Sequence, residues 1–563
     1  MKVIIIGGVA GGASAAARIR RLDENAEIIM FERSNYVSYA NCGLPYYVGG
    51  VIADRADLTL QTPENFRNRF RIDVRVRHEV TAIDTVQKRV TVRNLETGRI
   101  YEESYDKLIL SPGAKPVRPE MPGIENERIF TLRTVEDTLA VRKFTEEQKP
   151  ASAVVIGGGF IGLEMAENLA ESGLKVTIVE YADHLLAPLD YDMACTLHAL
   201  MRAKGISLML KTAVTGFKEK AGGILTETAD GGEIPADMVL LAIGVAPDTF
   251  LAENAGLELG IKGSIVVNDR METSVPDIYA VGDAVEVRHF ITEGKALISL
   301  AGPANRQGRI AADNICGGSS RYKGSQGSSV IKLFDMTAAA TGINETAAKM
   351  AGIDYDKVVL SPNSHAGYYP GARVLTMKVL YEKGTLRLLG AQIVGYEGVD
   401  KRMDVIATAI RAGIRATELG ELELVYAPPY SSAKDPVNMA GFVIENVAAG
   451  RVKQFHWDEV DRLPRDGSVT LIDTRTKTEY ADGFVDGFVN MPGDMLREHL
   501  SEIPREKPVY MMCQSGLRSY IACRILAQNG YDCYHLSGGY RFYDSVKCGG
   551  RPSEEAYSCG MSK

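Results

Sequence analysis

The sequence has 563 residues, which is more than one hydrophobic core normally holds, so we expect several domains. A formal net charge of −8 and a charged fraction of 24% are typical of a globular protein and exclude a strongly basic surface for nucleic acid or anionic membranes. Eight cysteines without a Cys-x-x-Cys pair argue against a disulfide framework and against structural zinc, and we predict no metal site.

The chain carries no signal for secretion or membrane insertion. It opens on a strand pattern at Val3, and its apolar stretches are too short to span a bilayer. Isolated thiols suit a reducing compartment. We therefore expect a cytoplasmic protein.

The first elements form a nucleotide-binding pattern. A β-branched strand at residues 3–6 runs into the glycine-rich turn at residues 7–12. An alanine-rich helix follows, and then a strand over residues 27–31 that ends at Glu32. The turn leaves room for a pyrophosphate, the helix N-terminus supplies amide donors, and the acid accepts from ribose hydroxyls. Val9 stands where the middle glycine of the G-x-G-x-x-G pattern belongs.

Residues 38–47 follow this unit and contain Cys42, the first cysteine of the chain. A cysteine beside a redox cofactor is either a buried small residue or a thiolate that exchanges electrons. The polar Ser38 and Asn41 and the following Gly43 favour a shaped turn over a core position.

The nucleotide-binding pattern then recurs. A strand at residues 153–156 leads into a complete G-x-G-x-x-G at residues 157–162, followed by a helix and a strand at residues 175–179 that ends at Glu180. A carboxylate at that point repels a 2′-phosphate, so we expect this site to prefer NADH to NADPH.

Two segments follow, namely a turn and strand at residues 273–284 and, from about residue 325 to 445, an α+β domain. Residues 273–284 form a turn and a strand that ends at Gly282-Asp283. Strands are predicted at 329–334, 374–381 and 387–394, and a helix at 403–411. Without a glycine-rich phosphate loop, this part is expected to serve packing or dimerisation. Its two tyrosine-rich loops, at 365–370 and 426–434, favour contact with a ligand or partner.

The composition changes after about Gly450. Predicted strands at 469–472 and 509–512 belong to a separate α/β domain of roughly 100 residues. The second of these strands ends in the segment Cys513 to Ser519, which precedes a helix.

These motifs carry a family resemblance. Residues 1 to about 445 resemble the pyridine nucleotide-disulfide oxidoreductases, and within them the coenzyme A-disulfide reductase branch. Residues from about 455 to 548 resemble a rhodanese domain, and the whole chain is similar to the NADH-dependent persulfide reductases. The segments that carry the likeness are the two glycine turns and residues 38–47, 111–114, 282–283, 426–436 and 513–519. The turn containing Val9 is usual in this branch.

The resemblance implies an α/β chain with two Rossmann-like domains for FAD and NAD(P)H, an α+β dimerisation domain and a C-terminal rhodanese domain. The implied segments are 1–150 and 269–324 for FAD, 151–268 for NADH, 325–447 for dimerisation and 455–548 for rhodanese. The implied active unit is a homodimer.

The implied reaction is FAD-dependent reduction by NADH of coenzyme A persulfide, polysulfide or coenzyme A disulfide. Cys42 has no partner cysteine nearby, so it acts as a single thiol that attacks the substrate. Only a thiolate attacks, so we expect the site to lower the pKa of Cys42 through a helix N-terminus and the flavin. Coenzyme A is either a substrate moiety or a tightly bound ligand. The alternatives are an NADH oxidase that uses a Cys42 sulfenic acid, and a sulfur carrier or redox sensor with a regulatory flavin domain.

The resemblance also assigns site residues. The implied catalytic residues are Cys42, Cys513, Tyr368 and Tyr426, the two tyrosines reaching the partner subunit's thiol. The implied cofactor contacts are Gly7, Gly8, Ala10, Gly11, Glu32, Arg33, Ser111, Gly113, Arg133, Gly157, Gly159, Phe160, Ile161, Gly162, Glu180, Gly244, Gly282, Asp283 and Ala301. The implied substrate contacts are Ser14, Arg18, Arg21, Ser38, Asn41, Asn305, Lys434 and Arg518.

Two groups also have a simpler reading. Ser14, Arg18 and Arg21 share one stripe of the first helix, which without the resemblance is a solvated basic face. In the last domain, the backbone amides between Cys513 and Arg518 are expected to cradle an anion. Among the other cysteines, we interpret Cys195, Cys316, Cys523 and Cys533 as packing residues and assign no role to Cys548 and Cys559.

Overall fold

The computed structural model describes residues 1–549. The chain divides into two compact units, one built from residues 1–182 and 209–327 and the other from residues 183–208 and from residue 328 onward. No helix in the described range is both long and apolar enough to cross a membrane. Cys559 lies outside the described residues.

The chain contains both strands and helices, with the helices placed between groups of strands. The strands are β1 (Lys2–Ile6), β2 (Glu27–Glu32), β3 (Asp73–Val76), β4 (His78–Asp84), β5 (Arg89–Asn94), β6 (Ile100–Ser104), β7 (Lys107–Leu110), β8 (Ala114–Pro116), β9 (Ile129–Phe130), β10 (Ser152–Ile156), β11 (Lys175–Val179), β12 (Ser207–Met209), β13 (Val214–Lys220), β14 (Gly223–Thr228), β15 (Glu233–Ala236), β16 (Met238–Leu241), β17 (Val245–Pro247), β18 (Ile278–Ala280), β19 (Val287–Arg288), β20 (Lys295–Ala296), β21 (Ser329–Leu333), β22 (Met336–Gly342), β23 (Tyr355–Leu360), β24 (Thr376–Glu382), β25 (Leu388–Gly395), β26 (Lys453–Phe455), β27 (Thr470–Asp473), β28 (Val489–Asn490), β29 (Val509–Met512) and β30 (Cys533–Leu536). The helices are α1 (Ala10–Leu22), α2 (Leu44–Val48), α3 (Pro63–Phe70), α4 (Val135–Gln148), α5 (Phe160–Glu171), α6 (Tyr191–Ala203), α7 (Phe250–Asn254), α8 (Ala301–Ile315), α9 (Glu345–Met350), α10 (Val399–Ala412), α11 (Pro436–Ala448), α12 (Lys477–Ala481), α13 (Leu517–Gln528) and α14 (Gly539–Lys547).

The first sheet is parallel, in the order β18-β7-β1-β2-β3. Its central strand β1 pairs with β2 on one side and with β7 on the other, so Ile4 faces Ile29 and Leu108 in register. The carboxyl ends of parallel strands lie at one edge of a sheet. That edge therefore collects the glycine turn after β1, the acid that ends β2, Ser111 after β7 and the segment after β18.

A second parallel sheet repeats the arrangement. Strand β10 pairs with β11 and β16, and β16 pairs with β9. The complete glycine motif follows β10, Glu180 follows β11, and Gly244 lies just beyond β16. The strands β10, β11 and β16 are almost wholly buried, which explains why they appear in the sequence as short continuous apolar runs.

The second unit contains an antiparallel sheet in the order β21-β22-β25-β24-β23. The predicted strands of this segment are present, with ends shifted by one or two residues. Helix α10 begins at Val399, four residues before the predicted start. The prediction began too late because the first turn carries the charged Asp400 and Arg402, which interrupt the apolar pattern. Arg402 is buried and pairs with Asp435, a contact that an apolar pattern does not reveal.

The C-terminal sheet is parallel, in the order β26-β30-β29-β27-β28. Strand β29 coincides with the predicted residues 509–512, and β27 begins one residue after the predicted start. Helix α13 follows β29 directly, so the segment from Cys513 to Gly516 is the turn between a buried strand and a helix N-terminus.

A buried charged cluster joins distant parts of the second unit. The Lys378 ammonium on β24 donates to Asp190 and Asp192 at 2.9 Å and also contacts Glu345. The indole of Trp457 donates to Asp192 at 3.0 Å. Residues 183–208 therefore pack with the second unit, although their place in the sequence is between strands of the first.

Candidate active site

The first glycine turn is shaped by close backbone approaches. Gly7 has φ +96°, and a Cβ there would lie 2.1 Å from the Ser111 carbonyl oxygen. Val9 has φ −99°, a value open to any residue, so the missing glycine causes no strain. Helix α1 then starts at Ala10 and Gly11 without a side-chain cap, which leaves its first amide groups available to a ligand.

Glu32 is tied to this turn at both carboxylate oxygens. It accepts from the amides of Gly8 and Ser34, each at 3.0 Å. Burial raises the pKa of Glu32, while these hydrogen bonds oppose the shift. The neighbouring Arg33 is exposed and pairs with Asp248 at 2.8 Å.

Arg133 connects the far side of this site with the thiol loop. Its guanidinium pairs with Asp283 at 2.7 Å. With its amide oxygen and nitrogen exchanged so that both find partners, the Asn41 carboxamide donates to the Arg133 carbonyl at 3.1 Å and accepts from its Nη1 at 3.2 Å. Gly113 adopts φ +73°, and a Cβ at this position would lie 3.4 Å from the same guanidinium. Asp283 is preceded by Gly282, whose amide donates to a side chain of α8, the helix that begins at Ala301.

Cys42 lies exposed in a short 3₁₀ turn, Asn41–Gly43, directly before α2. Partial burial, and then the charge of Glu164, raise the pKa of Cys42, whereas Arg133 lowers it. The lowered pKa predicted from the sequence includes a contribution from the flavin, and it stays a prediction. The polypeptide alone therefore favours the neutral thiol. Helix α2 is a single turn, so its dipole is weak, and the Glu164 carboxylate on α5 opposes a second negative charge at Cys42.

Several predicted substrate contacts line one cavity of about 330 Å³: Ser14, Arg18, Arg21, Ser38 and Asn305. The Ser14 hydroxyl hydrogen-bonds the Asn305 carboxamide, and Arg18 pairs with Asp313 at 2.7 Å. Ser38 also belongs to the Cys42 loop, and its amide donates to Gly8 O at 2.8 Å. The cavity therefore connects the basic stripe of α1 with the thiol loop.

Six residues that line the same cavity were not predicted: Ala13, Ala17, Gln61, Phe66, Phe70 and Arg309. The spacing of Arg309, one turn after Asn305 on α8, was a usable signal. Phe66 and Phe70 share that spacing on α3 and contact each other, with ring centroids 6.1 Å apart. They add aromatic rings to the lining of the cavity.

The second glycine turn repeats the geometry of the first. Gly157 has φ +106°, and a Cβ on Gly162 would lie 2.0 Å from the Gly157 carbonyl oxygen. Glu180 accepts from the Gly158 amide at 2.5 Å and from the Ala182 amide at 2.7 Å. A Cβ on Gly159 would meet no protein atom within 4 Å, so packing within the chain does not explain this glycine.

The remaining predicted contacts of this turn lie beside it. Helix α5 begins with Phe160 and Ile161 and has no side-chain cap. Gly244 adopts φ +113° after β16. Together they leave an open edge lined by amide groups, which fits the pyrophosphate of a dinucleotide.

In the C-terminal domain, Cys513 is buried and its sulfur accepts two hydrogen bonds. The Gly516 amide donates at 3.1 Å and the Ser519 hydroxyl at 3.4 Å. Arg518 instead forms a two-point ion pair with Glu479, at 2.8 and 2.6 Å. Burial alone raises the pKa of Glu479, but the contacts with Arg518 lower it to about 2. Glu479 was not predicted, although the pattern Thr476-x-x-Glu479 indicates a helix cap that orients it.

The predicted tyrosine pair is brought together within the second unit. The hydroxyls of Tyr368 and Tyr426 lie 2.6 Å apart, and both side chains are exposed. Lys434 is exposed in the segment before α11.

The other cysteines have different surroundings. Cys195, Cys523 and Cys533 are buried and Cys316 is half-buried, as a packing role requires. Cys548 follows α14 directly.

Two parallel sheets with matched glycine turns, and an exposed thiol after the first, define a redox protein that binds two dinucleotides. The chain belongs to the pyridine nucleotide-disulphide oxidoreductase family, whose main model matches residues 1–308. The dimerisation domain of that family matches residues 328–436, and a rhodanese-like domain matches residues 456–544. These matches confirm the predicted family and the predicted fold class.

Solved structures and curated relatives resemble the chain over most of its length. The reduced CoADR-RHD of Bacillus anthracis is 49% identical, with a TM-score of 0.95 over 97% of this chain and 98% of that one. An NAD-dependent persulfide reductase from A. fulgidus is 38% identical, with a TM-score of 0.90 over 96% of this chain and 100% of that one. A coenzyme A disulfide reductase of Staphylococcus aureus (strain JH9) is 39% identical over 78% of this chain and 99% of its own length.

Proposed function

We propose that this chain reduces coenzyme A persulfide, polysulfide or coenzyme A disulfide with NADH, through Cys42 as its only redox thiol in the flavin domain. One observation carries the proposal. A cavity lined by Arg18, Arg21 and Ser38 adjoins the loop of an exposed cysteine, so that an anionic carrier can lie on the arginines with its sulfur directed at the thiol.

The two glycine turns fit the cofactors of the family. Bound at the first turn, FAD would supply the redox chemistry that links NADH, held at the second turn, to the sulfur substrate. Gly7, Gly8, Ala10 and Gly11 would hold the FAD pyrophosphate, and Glu32 would hold a ribose. Further FAD contacts would come from Arg33, Ser111, Gly113, Arg133, Gly282, Asp283 and Ala301. The corresponding NADH contacts would be Gly157, Gly159, Phe160, Ile161, Gly162, Glu180 and Gly244.

The chain's own residues prepare the thiol and bind the substrate. Cys42 attacks the sulfur next to coenzyme A, and Arg133, held by Asn41 and Asp283, favours the thiolate. Ser14, Arg18, Arg21, Ser38, Asn41 and Asn305 bind coenzyme A from one subunit.

The active unit we propose is a homodimer. Tyr368 and Tyr426 would reach the partner subunit's thiol, with Lys434 beside them, and the hydrogen bond between the two hydroxyls prepares a proton donor. The dimerisation-domain match supports this arrangement.

The C-terminal domain would handle sulfane sulfur at Cys513. The two donors to its sulfur suit a thiolate or a persulfide, and Arg518 shapes the loop through Glu479. We propose segments 1–150 and 269–324 for FAD, 151–268 for NADH, 325–447 for dimerisation and 455–548 for sulfur transfer, in a protein of the cytoplasm.

A direct test compares sulfide release from coenzyme A persulfide with thiol release from coenzyme A disulfide, both driven by NADH. We expect both activities, with the persulfide favoured, because a plain disulfide needs no sulfur-transfer domain. Cys42→Ser should abolish both, and Cys316→Ser, at a half-buried position, should retain them. Wild-type rates in Cys42→Ser would contradict the proposal.

An NADH oxidase is the second candidate. A water-forming NADH oxidase from Lactobacillus brevis is 29% identical, with a TM-score of 0.77 over 80% of this chain and 99% of that one. In this reading Cys42 cycles through a sulfenic acid. Rapid NADH consumption in air without a sulfur substrate would favour it, whereas a slow basal rate favours the reductase.

A further inference from the structure

The carboxyl group of Glu164 faces the short helix that follows Cys42. Helix α2 packs on α5 so closely that a Cβ on Gly49 would lie 2.0 Å from the Asn168 side chain. Tyr46, one turn after Cys42 in sequence, donates its hydroxyl to Glu164 Oε1 at 3.3 Å. A phenol and a carboxyl group are therefore hydrogen-bonded between two packed helices, and the thiol lies in the turn directly before the first of these helices.

Glu164 is a half-buried acid without a basic partner among the described residues. Burial, together with the charge of Glu167, raises the pKa of Glu164 to about 7, against the opposing hydrogen bond from Tyr46. A carboxyl group in this condition can hold or release a proton near neutral pH.

The protonation states of Cys42 and Glu164 are linked. After burial, the Glu164 charge is the largest cause that raises the pKa of Cys42, with Asp283 acting in the same direction and Arg133 against it. Protonation of Glu164 removes that repulsion and favours the thiolate. The same two groups act on Tyr46. Burial, and then the charges of Glu164 and Cys42, raise the pKa of its hydroxyl.

We propose that Glu164, acting through the Tyr46 hydroxyl, stores the proton that Cys42 gives up when it becomes a thiolate, and returns it to the leaving thiolate of the substrate. This inference rests on the proposed function, because it assigns the proton of that same reaction. Tyr46 would relay the proton. Glu164 would be a positioning residue, because it holds the proton and acts on Cys42 only through Tyr46.

The step balances without a further reagent. The S–H bond of Cys42 breaks, the Tyr46 oxygen takes that proton, and the Tyr46 proton passes to the Glu164 carboxylate. The thiolate then forms a new S–S bond with the substrate, and the old S–S bond breaks with its electron pair on the leaving sulfur. That sulfur takes the stored proton, and Glu164 is again a carboxylate. The electrons for the next half-reaction come from NADH.

The test uses the holoenzyme and two variants. Glu164→Gln keeps the size and a hydrogen-bond acceptor but cannot store a proton, and Tyr46→Phe removes only the relay hydroxyl. Glu171→Gln, an exposed position at the end of the same helix, makes the same charge change away from the site.

The first measurement is the pH dependence of Cys42 alkylation by iodoacetamide, followed by mass spectrometry. In Glu164→Gln we expect the alkylation midpoint to move to lower pH and the rate at neutral pH to rise, because the repelling charge is gone. The second measurement is turnover with coenzyme A disulfide across pH. We expect a loss of about tenfold to a hundredfold in both Glu164→Gln and Tyr46→Phe, within the range of general acid–base catalysis.

A merely structural role for Glu164 would lower turnover without moving the alkylation midpoint to lower pH. An unchanged midpoint in Glu164→Gln, or wild-type turnover in Tyr46→Phe, overturns the inference while leaving the proposed function intact. Anaerobic flavin reduction by NADH provides the separate check, since it involves neither the thiol nor the sulfur substrate and should stay at the wild-type rate in Tyr46→Phe. If the wild type reduces no sulfur substrate, the proposed function fails, and the alkylation midpoints still decide whether Glu164 controls Cys42.

Discussion

Glu32 and Glu180 are bound to their glycine turns in the same way. Each carboxylate accepts one amide from its turn and one from a residue two places further along the chain. The main chain thus holds each acid at the strand end where a ribose would lie. Because the main chain fixes the orientation of each carboxylate, the negative charge of Glu180 is the property that can discriminate between NADH and NADPH.

At the residue scale, this geometry predicts the coenzyme preference. Glu180→Gln retains an oxygen for a backbone amide but loses the charge that repels a 2′-phosphate. We expect the NADPH-to-NADH ratio of kcat/KM to rise about tenfold, which corresponds to roughly 1.4 kcal/mol. Steady-state kinetics with both coenzymes measure it. Glu219→Gln, an exposed acid on β13, is the matched control and should leave the ratio unchanged.

At the element scale, the Lys378 cluster joins strand β24 to the start of helix α6 and to helix α9. Burial opposes the charge on Lys378, but Asp192, Asp190 and Glu345 together raise its pKa. Likewise, burial favours neutral Glu345, but Lys378 and Lys357 lower the pKa of that carboxyl group. The strand, the segment before α6 and helix α9 are therefore stabilised as one set of opposite charges.

Removal of the central cation should be costly. Lys378→Met leaves buried carboxylates without their counter-ion, and we expect a loss of about 3–5 kcal/mol in the free energy of unfolding. Denaturant unfolding of the holoprotein measures this loss. Lys332→Met, an exposed lysine on β21 of the same sheet, should change stability by less than about 0.5 kcal/mol. Equal midpoints for the two variants would contradict the prediction.

The same cluster gives a pH dependence with a defined sign. The lowered pKa of Glu345 contributes stability above its ordinary value of 4.5, and this contribution is lost as the pH falls. The raised pKa of Lys378 contributes stability below its ordinary value of 10.5, and this contribution is lost as the pH rises above it. The stability difference between wild type and Lys378→Met should therefore be largest between these two values and shrink on either side.

At the scale of the whole molecule, the rhodanese-like domain is joined to the antiparallel sheet by hydrogen bonds as well as by the chain. The Val359 amide on β23 donates to the Ser537 hydroxyl at 3.0 Å, and Gln454 donates to the Lys357 carbonyl at 2.7 Å. Trp457 adds the contact to Asp192. The Cys513 loop is therefore held against the dimerisation domain within the second unit.

Two thiols in separate domains predict two separable activities. Cys513→Ser should abolish sulfur transfer from thiosulfate to cyanide, because it removes the acceptor sulfur, and should leave NADH-driven reduction of coenzyme A disulfide at the wild-type rate. Assays of both reactions on the full chain test this. Cys548→Ser serves as the control in the same domain. Loss of disulfide reduction in Cys513→Ser would show that Cys42 does not act alone.

The local motifs were predictable because strand, turn, helix and acid lie within about 30 residues. The turns after β1 and β10, the cysteine loops and the strands beside them follow from short patterns of glycine and apolar residues, whereas most of the other strands were not predicted. Helix α10 was predicted too short because buried Arg402 interrupts the apolar pattern, and its partner Asp435 is 33 residues away. The influence of Glu164 on the pKa of Cys42 was not predictable from a local pattern, since the two residues are 122 positions apart in the chain.

By itself, the sequence determined the family, the α/β architecture, the two glycine turns with their acids, and the two thiols to which chemistry is assigned. Only the tertiary structure decided which side chains surround them. Arg133 meets Asp283 across 150 residues, and Lys378 meets Asp190 across 188. Gln61 and Arg309 likewise join the cavity from separate segments. The physical reason is that backbone patterns are set by near neighbours, whereas burial and charge depend on segments that only the folded chain brings together.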